Sequence, residues 1–344
     1  MKAKEKRSSR AGLGTRNSRP RGSYGHRSPH HPLEIVCVGN VVVDAVAVYV
    51  DTIPDEGSLS LFDRVEMHLG GCANNTSVAL ARLGLRVGLV AKAGADGLGD
   101  FVADYLMRHG VDIRGLKRSA RDATSFSFVM VPRNGNRRIL HTMAANASFG
   151  PADVDTALFK GAQWVCVGGL ALLPSLHGKN LARVLKAAKH AGAQTAADTA
   201  INERFSAKDW RDMLEPAWPY LDVLFPSEYE ARMITGEREP RKICAALLKR
   251  GVKIAGVKLG DQGSAVMSAE GYFEVPIYNV KCVDTCGAGD CFMAGLLAGL
   301  LRGHPPLEAA RLGNAVSAHC VQAIGATTGV PRLNRVLSFQ RKRD

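Results

Sequence analysis

The pattern of apolar and polar positions predicts that short buried strands alternate with helices along most of the chain. Short apolar runs that end near Gly, Asn or Asp are typical of strands buried in a parallel sheet. Such strands are predicted at residues 34–40, 87–91, 164–167, 194–197, 221–225 and 253–258. Helical spacing of apolar residues predicts helices at 73–84, 100–109, 152–159, 176–191, 292–301 and 308–323. The alternation favours an α/β domain with a central, mostly parallel sheet flanked by helices.

Two other regions, 41–65 and 125–143, alternate apolar and polar residues in the manner of more exposed strands. An Asn-Gly pair within 133–136 predicts a hairpin turn between the two strands of the second region. We expect the strands of both regions to form a small β-sheet lid beside the main sheet.

The strongest candidate for chemistry is the loop before the apolar helix 292–301, which reads V-D-T-C-G-A-G-D over 283–290. Gly287, Ala288 and Gly289 add little bulk, so their backbone N–H groups can converge on an anion at the helix N-terminus. Asp290 would lie beside that anion. A carboxylate there is suited to take a proton from a hydroxyl group while a phosphoryl group is transferred. The alternative, which the loop alone leaves equally open, is that Asp290 only caps the helix.

A second motif lies nearer the N-terminus, where H-L-G-G-C-A-N-N at 68–75 runs into A-L-A-R-L-G at 79–84. This block resembles the N-terminal signature of the ribokinase-like (PfkB-type) carbohydrate kinases, and D-T-C-G-A-G-D resembles their C-terminal signature, D-T-x-G-A-G-D. The resemblance covers about residues 33–335. It implies a ribokinase-like fold with a β-sheet lid and transfer of phosphate from ATP to a hydroxyl group, most often a hydroxymethyl group, of a sugar or sugar-like substrate. In that reaction, Asp290 would be the general base and the loop 287–289 the anion hole.

Asp44 lies in an otherwise apolar stretch, where an acid must be paired or bind something. It could cap a turn, but the resemblance implies that it binds sugar hydroxyl groups. The resemblance also implies that four residues line the sugar site, namely Gly70, Gly71, Asn75 and Asn146. Helix capping is the alternative role for Asn75. The chain has Cys72 where ribokinases have Lys, and Gly169 where they have Glu, which disfavours ribose as the substrate.

Candidate nucleotide and metal contacts follow the later strands. Asp198 ends a predicted strand and is either a capping acid or a contact near nucleotide and metal. The resemblance implies that the turn after the strand 253–258 packs on ATP, through Lys258, Gly260, Asp261 and Gly263. It also implies that Glu230 influences Mg²⁺ through water, although Ser227 replaces the family's Asn three residues earlier and Glu230 could instead favour a helix dipole. A K⁺ site is implied at Asp284, Cys286, Cys320, Ala323, Gly325 and Gly329.

Charge is unevenly distributed along the chain of 344 residues. Residues 1–32 hold nine Lys and Arg against one acid, so they carry +8 of the net +13. Their composition predicts a disordered basic tail, with a transit peptide or a weak polyanion contact as alternatives. A kinase domain is expected at 33–335 and a short basic tail at 336–344. The remaining charge of +5 is mild, and we expect no specific nucleic-acid partner.

No apolar run is long enough for a membrane span, and the eight cysteines fit neither a disulfide framework nor a common zinc pattern. We therefore expect a cytoplasmic enzyme without a membrane partner, with a homodimer through the lid as a plausible assembly. Two alternatives stay open. One is a nucleoside kinase, which Phe126 and Phe128 of the lid would favour if they stacked on a base. The other is a non-catalytic ligand sensor, against which the intact motif around Asp290 argues.

Overall fold

The computed structural model describes residues 32–133, 138–200 and 202–343. Within these residues, thirteen strands form two sheets. In chain order the strands are β1 (Ile35–Gly39), β2 (Val42–Val48), β3 (Arg64–Gly70), β4 (Val87–Gly94), β5 (Asp112–Ser119), β6 (Phe126–Val131), β7 (Arg138–Thr142), β8 (Trp164–Gly168), β9 (Gln194–Asp198), β10 (Val223–Leu224), β11 (Ile254–Lys258), β12 (Ser264–Ser268) and β13 (Gly271–Val275).

Helices cover both faces of the larger sheet. They are α1 (Cys72–Leu83), α2 (Gly97–Arg108), α3 (Ala145–Ser148), α4 (Lys179–His190), α5 (Ala207–Leu214), α6 (Glu228–Thr235), α7 (Pro240–Leu248), α8 (Ala288–Leu301), α9 (Pro306–Cys320) and α10 (Leu333–Arg341). None of the described helices is both long and apolar enough to cross a lipid bilayer. The predicted helix 152–159 is instead two short 3₁₀ turns, Pro151–Asp153 and Thr156–Phe159.

The larger sheet has the strand order β13-β12-β11-β10-β9-β8-β1-β4-β5. Its pairs are parallel from β11 through to β5, and only β12 and β13 add antiparallel pairs at one edge. Two separate apolar cores lie against it. The predicted α/β architecture is confirmed. Because the parallel strands share one direction, their carboxyl ends meet at one edge, where ligand sites of such sheets lie.

The smaller sheet is the expected lid, with the order β3-β2-β6-β7. Its strands β2 and β6 are parallel, and the outer pairs are antiparallel. The first lid region differs from the prediction, because its second strand is β3, which ends at Gly70, and residues 49–63 form no strand. The predicted turn at 133–136 falls largely outside the described residues, as does the basic tail except for residue 32.

Two predicted boundaries move for identifiable reasons. Helix α2 begins at Gly97, before the predicted start at residue 100, because Asp96 caps it by accepting a 2.8 Å bond from the N–H of Gly99. At the other end of the chain, the tail predicted from residue 336 is wrong in its position, since α10 runs to residue 341. Val336 is fully buried against the core, and that apolar contact holds the last helix on the domain.

Candidate active site

The beginning of α1 lies against the carboxyl ends of β1 and β8. Asn40, directly after β1, accepts a hydrogen bond at Oδ1 from the N–H of Ala73 (3.4 Å) and at its backbone carbonyl from the N–H of Asn74 (3.3 Å). Gly71 precedes the helix with φ of +96°, and a Cβ there would meet the carbonyl of Asn40 at 2.6 Å. Asn40 therefore fixes the position of α1, although its sequence position after a strand was the only hint of this role.

One face of α1 holds the N-terminal turn of α8. The carboxamide of Asn75 donates a 2.8 Å hydrogen bond to Oδ2 of Asp290, and the hydroxyl of Thr76 donates to its backbone carbonyl over 3.3 Å. The thiol of Cys72 also hydrogen-bonds the Asp290 carboxylate. Positions 72, 75 and 76 share a helix face, so α1 presents all three groups together. Sequence reasoning had marked Cys72 only as a departure from ribokinases, and its contact with Asp290 was missed.

The carboxyl group of Asp290 is ionisable near neutral pH. Its side chain is 8% exposed and lies at the third residue of α8 rather than at the cap, which is Gly287. Burial and the nearby charge of Asp198 raise the pKa of Asp290 to about 6, against the lowering effects of Asn75 and Lys258. A carboxylate with this pKa is a stronger base than an ordinary aspartate and is still ionised at pH 7. Helix capping therefore does not account for its position.

The loop before α8 has a glycine, Gly287, at a position where no side chain would fit. Gly287 has φ of +74°, and a Cβ there would lie 2.4 Å from the carbonyl oxygen of Ala326. Helix α8 starts at Ala288, so its first N–H groups point out of the helix end. The N–H of Ala288 donates within the loop to the carbonyl of Thr285 (3.2 Å), which weakens its expected part in anion binding relative to Gly287 and Gly289.

A largely buried lysine, Lys258, adds positive charge beside this loop, with 16% of its side chain exposed. Nζ of Lys258 lies 2.7 Å from Oδ1 of Asp198 and 3.2 Å from the position that a Cβ of Gly289 would take. Burial alone would lower the pKa of Lys258, but the charges of Asp198 and Glu230 hold it above its ordinary value. The lysine is therefore a fixed cation at the mouth of the anion loop, and a side chain at position 289 would crowd it.

Glu230 is buried at the start of α6, with 2% of its surface exposed. Its Oε2 accepts a bond from the backbone N–H of Ser227 (2.7 Å) and another from the hydroxyl of Thr199 (2.7 Å). These two bonds join α6 to Thr199, the residue after Asp198. Glu230 is therefore not merely a solvent-exposed acid that favours the helix dipole, which was its alternative role. Asp198 ends β9, and Glu230 lies on α6, which follows the neighbouring strand β10. Both are hard oxygen donors of the type that Mg²⁺ takes through water.

The lid places Asp44 beside the entrance to α1. A Cβ on Gly70 would lie 2.2 Å from Oδ2 of Asp44, so glycine at 70 leaves room for this carboxylate. Burial raises the pKa of Asp44, while a hydrogen bond from Ser127 and the nearby His141 lower it. Asp44, Gly70, Gly71 and Asn75 thus lie along one path from the lid to Asp290, and their expected role in lining a sugar site stays a prediction.

A comparison with known protein families identifies the family to which this chain belongs. Residues 33–333 match the model of the pfkB family of carbohydrate kinases. The chain belongs to the pfkB family. The resemblance seen in the two sequence signatures is therefore confirmed, and its expected span of about 33–335 agrees with the matched residues.

Individual relatives are sugar kinases. The chain is 29% identical to the 2-dehydro-3-deoxygluconokinase of Bacillus subtilis over 283 residues, 79% of this chain and 86% of that protein. It is 28% identical to fructokinase-1 of Oryza sativa subsp. japonica over 313 residues, 87% and 97% of the two chains. The structure resembles that of Arabidopsis thaliana ribokinase complexed with ribose and ATP, with a TM-score of 0.79 and 25% identity over 90% of this chain and 98% of that one.

Two positions considered in the sequence analysis, 169 and 146, have closely packed surroundings in the structure. Gly169 stands where ribokinases have Glu, and a Cβ on it would lie 2.2 Å from the Asn40 carboxamide, which leaves no room for a longer side chain. Asn146, expected to contact sugar, is fully buried. Its carboxamide donates to the carbonyl of Val41 (3.0 Å) and accepts from the N–H of Val41 (3.3 Å). Asn146 therefore positions the first residues of the lid, and its expected sugar contact stays a prediction.

The turn after β11 lies at the same edge of the sheet. Gly260 and Gly263 have positive φ, and a Cβ on Gly263 would lie 2.2 Å from the carbonyl of Val275 at the end of β13. Asp261 is exposed between them. Apart from Lys258, the structure gives the residues of this turn no contact with Asp290, so their expected role at the nucleotide stays a prediction.

The two segments of the implied K⁺ site are adjacent. Asp284 joins them, because its carboxylate accepts bonds from the N–H groups of Cys286 (2.9 Å) and Gly325 (3.0 Å). The thiol of Cys320 lies against the carbonyls of Cys286 (3.4 Å) and Ala326 (3.2 Å). Ala323 donates to the carbonyl of Cys320, and Gly329 packs on this same turn. Carbonyl oxygens are K⁺ ligands, but two of those implied, on Cys286 and Cys320, already accept hydrogen bonds.

Proposed function

We propose that the chain transfers the terminal phosphoryl group of ATP to a hydroxyl group, most simply a hydroxymethyl group, of a sugar or sugar-like substrate. The observation that carries this proposal is the position of Asp290. Its buried carboxylate is fixed by Asn75, has a pKa of about 6, and lies on the first turn of α8 beside the glycine loop and Lys258. A base, an anion site and a fixed cation are therefore adjacent.

In the proposed reaction, each group has one task. Asp290 takes the proton of the attacking hydroxyl group. The N–H groups of Gly287 and Gly289 and the ammonium of Lys258 stabilise the negative charge that grows on the transferred phosphoryl oxygens. Asp44 accepts hydrogen bonds from substrate hydroxyl groups and so fixes the orientation of the sugar. The turn 260–263 would contact the nucleotide.

Mg²⁺ fits the acidic pair formed by Asp198 at the end of β9 and Glu230 on the first turn of α6. Asp198 and Glu230 would hold it through water, and when bound it would neutralise charge on the phosphate oxygens. Their contacts support indirect coordination, since Oδ1 of Asp198 already accepts from Lys258 and from the N–H of Thr199 (2.9 Å), and Oε2 of Glu230 is used twice. K⁺ dependence remains part of the proposal through the loops joined by Asp284, and it is checked by replacing K⁺ with Na⁺.

A sugar is favoured over a nucleoside by the composition of the lid. Phe126 and Phe128 pair with Thr142 and Leu140, so they lie on the sheet face opposite Asp44. In the described strands, the Asp44 face carries no Phe, Tyr or Trp. Neither phenylalanine can therefore stack on a base held at Asp44. The curated relatives named above, a ketoacid-sugar kinase and a fructokinase, support the same choice.

The test is ADP release with Mg-ATP over a panel of pentoses, hexoses, ketoses, 2-keto-3-deoxy sugar acids and nucleosides. Turnover of one sugar class by the wild type, lost in Asp290→Asn, is the expected result. Turnover of nucleosides alone would replace the proposal with nucleoside phosphorylation. No turnover together with intact ATP binding would favour the ligand sensor.

The lid also supports a proposed homodimer. On its face opposite Asp44, three apolar side chains are exposed by 41% to 66%, namely Val65, Met67 and Leu140. A cavity of about 340 Å³ on this face is lined in part by Phe62 and Phe128 and lies away from Asp290. Exposed apolar side chains at the edges of a sheet are candidate contacts with a second copy of the chain. Light scattering should give a dimer for the wild type and a monomer for the Met67→Glu, Leu140→Glu double variant.

We also propose that the enzyme acts in the cytoplasm, since all eight cysteines are free.

A further inference from the structure

Four polar side chains lie in one row across the lid sheet. The strand register pairs His68 with Asp44, Asp44 with Ser127, and Ser127 with His141. Directly paired residues have their side chains on the same face of a sheet. At one end of the row, Nδ1 of His68 lies 3.7 Å from the position of a Cβ on Gly325, in the loop that touches Gly287. The row therefore faces the catalytic loop.

The hydrogen bonds of this row fix where its protons lie. The ionised carboxylate of Asp44 can only accept, and it accepts from the hydroxyl of Ser127. The same hydroxyl oxygen lies 3.1 Å from Nδ1 of His141. A serine has one proton, and Ser127 donates it to Asp44, so Nδ1 of His141 must be the donor in the second bond.

The consequence concerns the other nitrogen of His141. Partial burial lowers the pKa of His141, so its ring is neutral at pH 8 and carries a single proton, on Nδ1. Its Nε2 then has a free lone pair. Because His141 is exposed on the edge strand β7, and on the same sheet face as Asp44, its ring is open to solvent on the side of the lid that carries this carboxylate.

We propose that His141 is a specificity-determining residue that accepts, through Nε2, a hydrogen bond from a second hydroxyl group of the sugar whose first hydroxyl group is held by Asp44. This inference rests on the phosphoryl transfer proposed above. It defines the substrate class further, as sugars that carry two free hydroxyl groups within reach of the two acceptors. Asp44 and His141 are joined through Ser127, so the spacing of the two acceptors is fixed by the sheet.

The kinetic test compares two substitutions of His141. Each places a polar amide group near the position of one of the two ring nitrogens. Asn places an amide near Nδ1 and can still reach Ser127, whereas Gln places its amide near Nε2. With the sugar that the wild type turns over, His141→Asn should raise KM roughly 3- to 10-fold, the usual effect of losing one neutral hydrogen bond. His141→Gln should stay within about twofold of wild type. His109→Gln, at the end of α2 and away from the lid, is the control and should change nothing.

Monodeoxy analogues of that sugar identify the second hydroxyl group. One analogue should lose affinity with the wild type by the same factor and lose nothing further with His141→Asn. If each analogue is discriminated equally by both proteins, or if His141→Asn leaves KM unchanged, the role of His141 is overturned while the phosphoryl transfer stands. If the wild type turns over no sugar, the proposed function fails instead.

A measurement without substrate decides the proton position independently. In long-range ¹H–¹⁵N spectra at pH 8, two other histidines give reference signals. His109 donates Nδ1–H to the carbonyl of Tyr105 (2.8 Å), and His177 donates Nε2–H to the carbonyl of Leu170 (2.8 Å). The signal that disappears in His141→Gln should match the His109 pattern and lose that preference in Ser127→Ala. A pattern like that of His177 would overturn the inference.

Discussion

The carboxamide of Asn75 on α1 holds the carboxylate of Asp290 on α8 at 2.8 Å, although 215 residues separate them in the chain. Each signature motif therefore depends on the other for its chemistry. Asn75 comes four residues after the Gly71 turn, and Asp290 three residues after the Gly287 turn. The two glycines set where each helix begins, and the start of each helix sets which side chains meet. The bond both orients the carboxylate of Asp290, the proposed base, and lowers its pKa.

Removing this bond should move the pH dependence of the reaction. Asn75 lowers the pKa of Asp290, so Asn75→Ala should raise that pKa and shift the acidic limb of kcat/KM upward by about one pH unit, the size expected for a hydrogen bond to a charged group. Thr76→Val is the matched control, because Thr76 touches only the backbone carbonyl of Asp290. An acidic limb that stays in place in Asn75→Ala would show that the bond does not tune the base.

The wild type should lose activity in mildly acidic solution. A general base must be ionised, and the pKa of Asp290 is about 6. We therefore expect kcat/KM for a sugar without ionisable groups to fall about tenfold per pH unit below pH 6. An acidic limb near pH 4, the range of an ordinary aspartate, would contradict the burial of this carboxylate.

The raised pKa of Asp290 also lowers the stability of the folded state. Because folding raises the pKa of Asp290, the ionised form destabilises the native state, and this effect grows from about pH 4 to pH 6 and is then constant. The cost is on the order of 3 kcal/mol at neutral pH. Urea unfolding should find Asp290→Asn more stable than wild type, by about 1 kcal/mol more at pH 8 than at pH 5. Equal pH dependence in the two proteins would mean that the group titrates normally.

Gly287 should be irreplaceable for a reason beyond its backbone angle. Gly287→Ala meets both the strain of φ +74° and a contact of 2.4 Å with the carbonyl of Ala326. Gly57→Ala is the matched control, with φ of +76° and open space around it. Both should lose roughly 1 to 2 kcal/mol to the angle, but only Gly287→Ala should lose more stability and about 100-fold in kcat. Equal stability and kcat in the two variants would show that the loop tolerates movement.

Lys258 should contribute to the chemical step. Lys258→Met removes the cation beside Gly289, and we expect kcat to fall roughly 100- to 1,000-fold, as for other groups that stabilise transition-state charge. Lys189→Met is the control, since Lys189 also pairs with a buried acid, Asp222 at 2.6 Å, but at the opposite end of the sheet. If the two variants keep similar kcat, the lysine serves only to neutralise Asp198.

The sequence allowed the architecture and the lid to be predicted, because apolar runs mark buried strands. It also marked Asp290 as the candidate base, because the two motifs mark helix starts near the strand ends. It could not show which residues of different strands lie side by side. Alternation assigns a residue to a face, but the pairing of Asp44 with Ser127, and of Ser127 with His141, depends on register set by the whole lid. The row of four polar side chains across the lid sheet was therefore not predicted from the sequence.

Asn146 illustrates a second limit of prediction from the sequence. Its type and its place between small residues suit a sugar contact as well as a backbone bond, and only the folded position of Val41 separates these roles. Similarly, Cys72 carried no signal of its own until α1 was placed against α8. The helix at the C-terminus was missed because its last residues are mostly polar, while its attachment depends on few buried side chains such as Val336.

The most direct test of the proposed mechanism is single-turnover phosphoryl transfer by Asp290→Asn, measured beside its ATP affinity. Asn keeps the shape of the side chain and can still accept the bond from Asn75, but it cannot take a proton. We expect transfer to the sugar to slow by at least about 1,000-fold while the Kd for Mg-ATP stays within a few-fold of wild type. Near-normal transfer by this variant would contradict the assignment of Asp290 as the base.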